Sequence, residues 1–203
     1  MEKIRAFIAI ELPEELKVSL TKLQNKLRTG KEEAVKWVDP KGLHLTLKFL
    51  GSIPSQMVSE ISQAISPVVR ELRPFTLQIH GLGAFPSLKA PRVVWVGTGG
   101  DLQALLILQK RVDQALSPLG FETEKAFSPH LTLGRVREKA PFRTRELLGQ
   151  EINQLEVPKM PSLRVESLSL MRSTLTPSGA VYSRLASFAL ANQALDEYTK
   201  NRP

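Results

Sequence analysis

The chain has 203 residues, of which 42% are hydrophobic and 24% charged, a balance that suits one globular domain with a sizeable core. It contains no cysteine, which excludes disulfides, thiolate nucleophiles and cysteine-type zinc sites and fits a reducing compartment. The formal net charge of +8 and pI near 9.9 favour a polyanionic partner such as nucleic acid, although a lysine-rich solvated surface has the same composition.

The first expected element is a short, buried strand from Ile4 to Ile10, apolar and β-branched. Its apolar run ends at Glu11, too soon for a signal-peptide core. No segment approaches the roughly 18 apolar residues of a membrane-spanning helix, so the expected location is the cytoplasm. A helix follows, with Pro13 in its first turn, Glu14 and Glu15 at its positive end and Gly30 at its exit. Leu12, Leu16, Leu20, Leu23 and Leu27 form its apolar stripe. Residues 35–38 and 44–50 read as strands. A second helix is expected from about Pro54 to Leu72, with Met57, Ile61, Ile65 and Val68 inward and Pro67 kinking or ending it. Residues 75–79 and 92–96 are strand-like, and Asp101 is placed to cap a third helix that reaches Gly120. A strand over 130–136, a short helix near 143–153 and two strands over 163–171 and 180–189 complete the order, with Thr176, Pro177, Ser178 and Gly179 as the last turn. Residues 192–203 read as a polar tail. Mixed succession of strands and helices argues for an α+β fold with largely antiparallel sheets.

One tetrapeptide occurs twice, as His44-Leu45-Thr46-Leu47 and His130-Leu131-Thr132-Leu133, and takes two of the three histidines. In a strand, alternate side chains share a face. His44 and Thr46 should therefore point one way, with Lys48, and Leu45, Leu47 and Phe49 the other. His130 and Thr132 should oppose Leu131 and Leu133. Two such strands facing each other would line a cleft with two imidazoles and two hydroxyls, anchored by leucines behind. One neutral imidazole can accept a proton from a nucleophile while one imidazolium protonates a leaving oxygen, as phosphodiester cleavage requires. The threonine hydroxyls can donate to non-bridging phosphate oxygens. Arg135 would add a cation, but on an ideal strand it falls on the opposite face, so a bulge at Gly134 is needed to bring it round.

Other features point less sharply. A metal site needs three or four convergent ligands, and neither motif carries a second ligand at short spacing. His80 stands alone and reads as a polar residue at a strand end. Gly97-Thr98-Gly99-Gly100 lacks the lysine of a P-loop and reads as a strand-to-helix turn. Trp37, Phe127 and Tyr182 could stack on a base or lie in the core. Arg135, Arg137, Lys139, Arg143 and Arg145 could follow an RNA backbone or form a solvated face.

With both motifs in hand, the chain closely resembles the 2H phosphoesterase superfamily, and within it the RNA 2′,3′-cyclic phosphodiesterases, also called LigT-like proteins or 2′-5′ RNA ligases. The resemblance rests on residues 44–51 (HLTLKFLG) and 127–135 (FSPHLTLGR), and extends to the strand over 5–10, Trp37, residues 91–95 and Val181-Tyr182. It implies one domain over residues 1–203, built from two pseudo-symmetric lobes of mainly antiparallel sheet, with helices on the outer faces and a central cleft. It implies cofactor-free and metal-independent hydrolysis of a cyclic phosphate RNA end to a 2′-phosphomonoester by a monomer, with tRNA fragments as one source of substrate. His44 takes the proton-donor role toward the 3′-oxygen, His130 the acceptor role toward water, and Thr46, Thr132 and Arg135 contact substrate. The reverse chemistry, 2′-5′ ligation of RNA halves, and a non-catalytic RNA-end-binding module are the alternatives.

Overall fold

A computed structural model of the protein describes residues 2–28, 30–31, 33–177 and 179–191. The expected polar tail over 192–203 lies outside the described residues.

Strand β1 (Lys3–Glu11) leads into helix α1 (Glu14–Arg28), whose acidic first turn and basic last turn match the helix dipole. The five expected leucines face the core, and Gly30 adopts φ +72° just beyond the helix. Next come β2 (Val35–Trp37), a 3₁₀ turn over Pro40–Gly42, and β3 (His44–Pro54). Helix α2 (Met57–Arg70) starts three residues later than expected because Pro54 still belongs to β3. Pro67 lies inside α2 without ending it, and the inward line is Ile61, Ile65 and Val69. Val68 is only half-buried: steps of four carry the stripe to position 69.

Strands β4 (Phe75–Phe85) and β5 (Val93–Gly100) are both longer than expected. Gly97 to Gly100 form part of β5, paired with His80 to Leu77 of β4, so the glycine-rich run is not a turn. His80 accordingly sits in mid-strand beside a register shift, with its ring against the backbone of Gly99. A Cβ at Gly99 would meet His80 Nε2 at 2.2 Å. Asp101 precedes helix α3 (Leu102–Leu116) but does not cap it with its side chain; its carboxylate accepts the Thr76 N–H at 2.9 Å. Strand β6 (His130–Val136), helix α4 (Phe142–Gln154), and strands β7 (Leu163–Val165), β8 (Ser167–Thr176) and β9 (Gly179–Ala189) complete the chain.

Among the described residues the nine strands form one sheet in the order β7-β4-β5-β6-β3-β1-β8-β9, with β2 beside β6 and every pair antiparallel. The two motif strands, β3 and β6, are neighbours at the centre, joined at the single pair Leu45–Leu131. Each then continues outward through its own strands, β1-β8-β9 on one side and β5-β4-β7 on the other. The halves share a register. Glu11, Ile10, Ala9, Ile8 and Phe7 pair with His44, Leu45, Thr46, Lys48 and Phe49. Gly97, Val96, Trp95, Val94 and Val93 pair with His130, Leu131, Thr132, Gly134 and Arg135. The α-helices pack their apolar faces on the leucine side of the sheet, where Leu45, Leu47, Leu131 and Leu133 join the main core. The other side carries a small separate cluster of Phe7, Ala9, Met171 and Tyr182, and the histidines.

Candidate active site

The cleft is built on the face of β3 and β6 turned away from the leucines. Leu45 pairs with Leu131, which sets His44 beside Thr132 and His130 beside Thr46 on one face. The structure thus brings together the two histidines and two threonines expected from the repeated motif.

Both imidazoles are held in the same way. His44 Nδ1–H donates to the Gly42 carbonyl at 2.7 Å, and His130 Nδ1–H donates to the Ser128 carbonyl at 2.7 Å. A carbonyl can only accept, so the ring proton of each neutral imidazole resides on Nδ1. Nε2, on the far side of each ring, is left to take up and release a proton.

Aromatic rings wall both histidines. Phe7 lies 4.7 Å from His44 between ring centroids, and Tyr182 meets His44 edge-on at 5.0 Å. Phe85 meets His130 edge-on at 5.0 Å and Trp95 lies 6.5 Å away. Two glycines make room for these walls. A Cβ at Gly42 would come 2.9 Å from the Tyr182 ring, and one at Gly83 would come 2.4 Å from the Trp95 indole. Of the aromatics considered from sequence, only Tyr182 joins the site, while Trp37 and Phe127 pack against the main core. Phe7, Phe85 and Trp95 join the site as well; Trp95 alternates with buried Val94 and Val96 on β5, whereas Phe7 lies within the continuous buried run of β1, which carries no such signal.

Burial pushes the His44 pKa below its ordinary value of 6.5, and the Arg135 charge adds to this. The hydrogen bond to Gly42 and the carboxylate of Glu11 act the other way. Glu11, directly across from His44 on β1, is gripped by Arg184 at 2.7 and 2.9 Å and accepts a hydrogen bond from Ser169. The Arg184 contact, outweighing burial, holds the Glu11 carboxyl below its usual range. Burial raises the Tyr182 phenol, while Arg135 and Arg5 pull it down.

Each repeated motif carries a bulge at its second leucine. Ile8 pairs with Lys48 and Ala9 with Thr46, so Leu47 is the extra residue; Val94 pairs with Gly134 and Trp95 with Thr132, so Leu133 is. A bulge reverses the alternation beyond it. Lys48 therefore leaves the histidine face, contrary to the ideal-strand expectation. It is buried on the helix side, where it ion-pairs with Asp113 and donates to the Glu122 carbonyl at 2.7 Å. Phe49, expected in the core, turns out and is 65% exposed. The same reversal brings Arg135 onto the histidine side, through a bulge one residue earlier than the one expected at Gly134. Arg145 is taken up structurally, donating to the carbonyls of Ala140, Arg137 and Glu138. Among the described residues no three His, Cys, Asp or Glu side chains converge as a metal-ligand set.

Comparison with known proteins finds relatives over nearly the whole chain. The family model "LigT like Phosphoesterase" matches residues 10–95 and 100–182. An "RNA 2′,3′-cyclic phosphodiesterase" of Methanothermobacter thermautotrophicus is 37% identical over 93% of this chain and all of that protein. One of the same description from Thermotoga maritima is 34% identical, over 90% of this chain and 93% of that one. Among solved structures, the TT0787 protein of Thermus thermophilus superposes with a TM-score of 0.76 at 30% identity, covering 94% of this chain and 100% of that one. E. coli LigT complexed with 3′-AMP superposes with a TM-score of 0.74 at 26% identity, over 94% and 100%.

Proposed function

The chain belongs to the LigT-like phosphoesterase family, its activity is that of an RNA 2′,3′-cyclic phosphodiesterase, and we propose that His44 and His130 carry the chemistry as its acid and base. The observation that carries this assignment is the paired tautomer lock, one backbone carbonyl two residues before each histidine. It leaves both Nε2 atoms free for proton transfer on one strand-pair face.

In the proposed reaction, water attacks phosphorus and gives a proton to His130 Nε2. The bond from phosphorus to the 3′-oxygen breaks, and His44 Nε2–H protonates that oxygen. The product is a 2′-phosphomonoester with a free 3′-hydroxyl. The histidines end with exchanged protonation states and reset through solvent. Thr46 and Thr132 donate to the non-bridging oxygens, where negative charge grows, and Arg135 supplies a compensating charge. Burial favours the neutral His44 ring in the free enzyme. The phosphate anion supplies an opposite charge that favours the imidazolium, so the acid is loaded when substrate arrives.

No step needs a metal, because proton transfer and charge stabilisation are both assigned to side chains. A single chain contributes both histidines and both threonines, so the proposed site needs no second copy; the proposed substrates are RNA ends, those of cleaved tRNA included. The test is turnover, in the presence of chelator, of an oligonucleotide ending in a 2′,3′-cyclic phosphate. The expected product is the 2′-phosphomonoester. Formation of the 3′-phosphomonoester, or activity abolished by chelator, would overturn the proposal.

A further inference from the structure

The cleft has a charged end beyond the histidines. Lys36 on β2 lies directly across from Arg135 on β6, and directly opposed residues of an antiparallel pair share a face. Both are exposed, and among the described residues neither has a carboxylate within ion-pair distance. Two like charges directly opposed across strands disfavour the pairing unless an anion sits between them. Lys36 also approaches the tip of the β8–β9 hairpin, its Cε 3.8 Å from where a Cβ at Gly179 would stand.

This end adjoins the reacting groups. The charge of Arg135 is felt at both His44 and Tyr182, and Arg5 acts on Tyr182 as well. Across β3, on the other side of His44, the charge is neutralised instead, with Glu11 held by Arg184. The uncompensated pair Lys36 and Arg135 lies on the β2–β6 side of the histidines. Arg135 lies three residues beyond Thr132 with a bulge between, a displacement of about 10 Å or less at ~3.3 Å per residue. A long lysine side chain there can reach a phosphate next to the reacting one.

We propose that Lys36, with Arg135, forms a second anion subsite that binds the internucleotide phosphate one step 5′ of the cyclic phosphate. The inference rests on the reading of the cleft as a cyclic-phosphate site. It assigns a direction to the bound RNA, whose body leaves over β2 and β6 past the hairpin tip. It also makes an RNA end a better substrate than a single nucleotide carrying the same cyclic phosphate.

The test compares three substrates: a nucleoside 2′,3′-cyclic phosphate, a dinucleotide ending in that group, and the dinucleotide with an uncharged methylphosphonate linkage. Each is assayed with wild-type protein and with Lys36→Ala and Lys36→Arg variants. Wild type should prefer the charged dinucleotide. Lys36→Ala should lower kcat/KM for that substrate about tenfold more than for the mononucleotide, mainly through KM, as for one partly exposed phosphate contact. Lys36→Arg should restore the preference. The methylphosphonate, which removes the contacts of both cations, should lose at least as much as Lys36→Ala does, and the two together should lose no more than the methylphosphonate alone. Equal losses for mono- and dinucleotide, or additive losses in the combination, would overturn the subsite and leave the cyclic-phosphate reading standing. Failure of wild type to turn over any of the three would remove that reading and the subsite with it.

Discussion

Substitution of Lys48 by Met separates the two faces of the first motif strand. Lys48 and Asp113 are only 2% and 8% exposed, and the Asp113 carboxylate also accepts the Glu124 N–H at 2.9 Å. Removing the lysine leaves a buried carboxylate with one hydrogen bond and no counter-charge, a loss of about 3–5 kcal/mol. For a chain of this size that corresponds to a fall of ~6–20 °C in Tm. Replacing the pair together, as Lys48→Met with Asp113→Leu, removes the orphaned charge and should recover most of the loss. Thermal unfolding of wild type, the single and the double variant is the assay. Turnover measured well below each Tm should stay near wild type, because the Leu47 bulge places Lys48 on the helix side. A single variant as stable as wild type, or a double variant no better than the single, would refute the account of the pair. A stable variant with collapsed turnover would place Lys48 back on the histidine face.

Three further outcomes follow from the walls of the cleft. The His44 ring, followed by NMR, should titrate below 6.5 in the free protein and move upward when inorganic phosphate is added; a value at or above 6.5 without ligand would contradict the burial argument. The unfolded chain binds the proton at higher pH than the folded one, so the contribution of His44 to stability is complete above the unfolded value. It is lost as pH falls from 6.5 toward the folded value, and a His44→Gln variant should lack that slope. Gly83→Ala puts a methyl 2.4 Å from the Trp95 indole, so the ring must leave its place near His130. Altered tryptophan fluorescence with a lowered kcat/KM is expected, and an unchanged kcat/KM alongside a displaced indole would show that this wall is dispensable.

Much of the fold was legible because its signals are local. The leucine stripe of α1, the apolar run of β1 and the repeated His-x-Thr alternation each follow from one periodicity. What failed depends on partners distant in sequence. The bulge in β6 was anticipated one residue late, at Gly134, but the one in β3 could not be read from its own strand, since a bulge is defined by the register of a neighbour, and the faces of Lys48 and Phe49 turned on it. Gly97 to Gly100 carry turn residues, yet pairing with β4 keeps them in the sheet, with only Gly100 at positive φ. Val68 and Val69 are indistinguishable by composition, and the packing of α2 chose the second. In the site, the histidines and threonines could be named, but the carbonyls of Gly42 and Ser128 that set their tautomers come from backbone, which has no residue signature.

The dependence of kcat/KM on pH, measured for wild type and for His44→Ala and His130→Ala, tests the two-histidine assignment most directly. The account predicts a bell in the wild type, with limbs that belong to the coupled pair. It predicts the loss of one limb in each variant together with a fall of about 10²–10⁴-fold in rate. A profile flat from pH 5 to 8 in a wild type limited by chemistry, or either variant retaining wild-type activity, would contradict it.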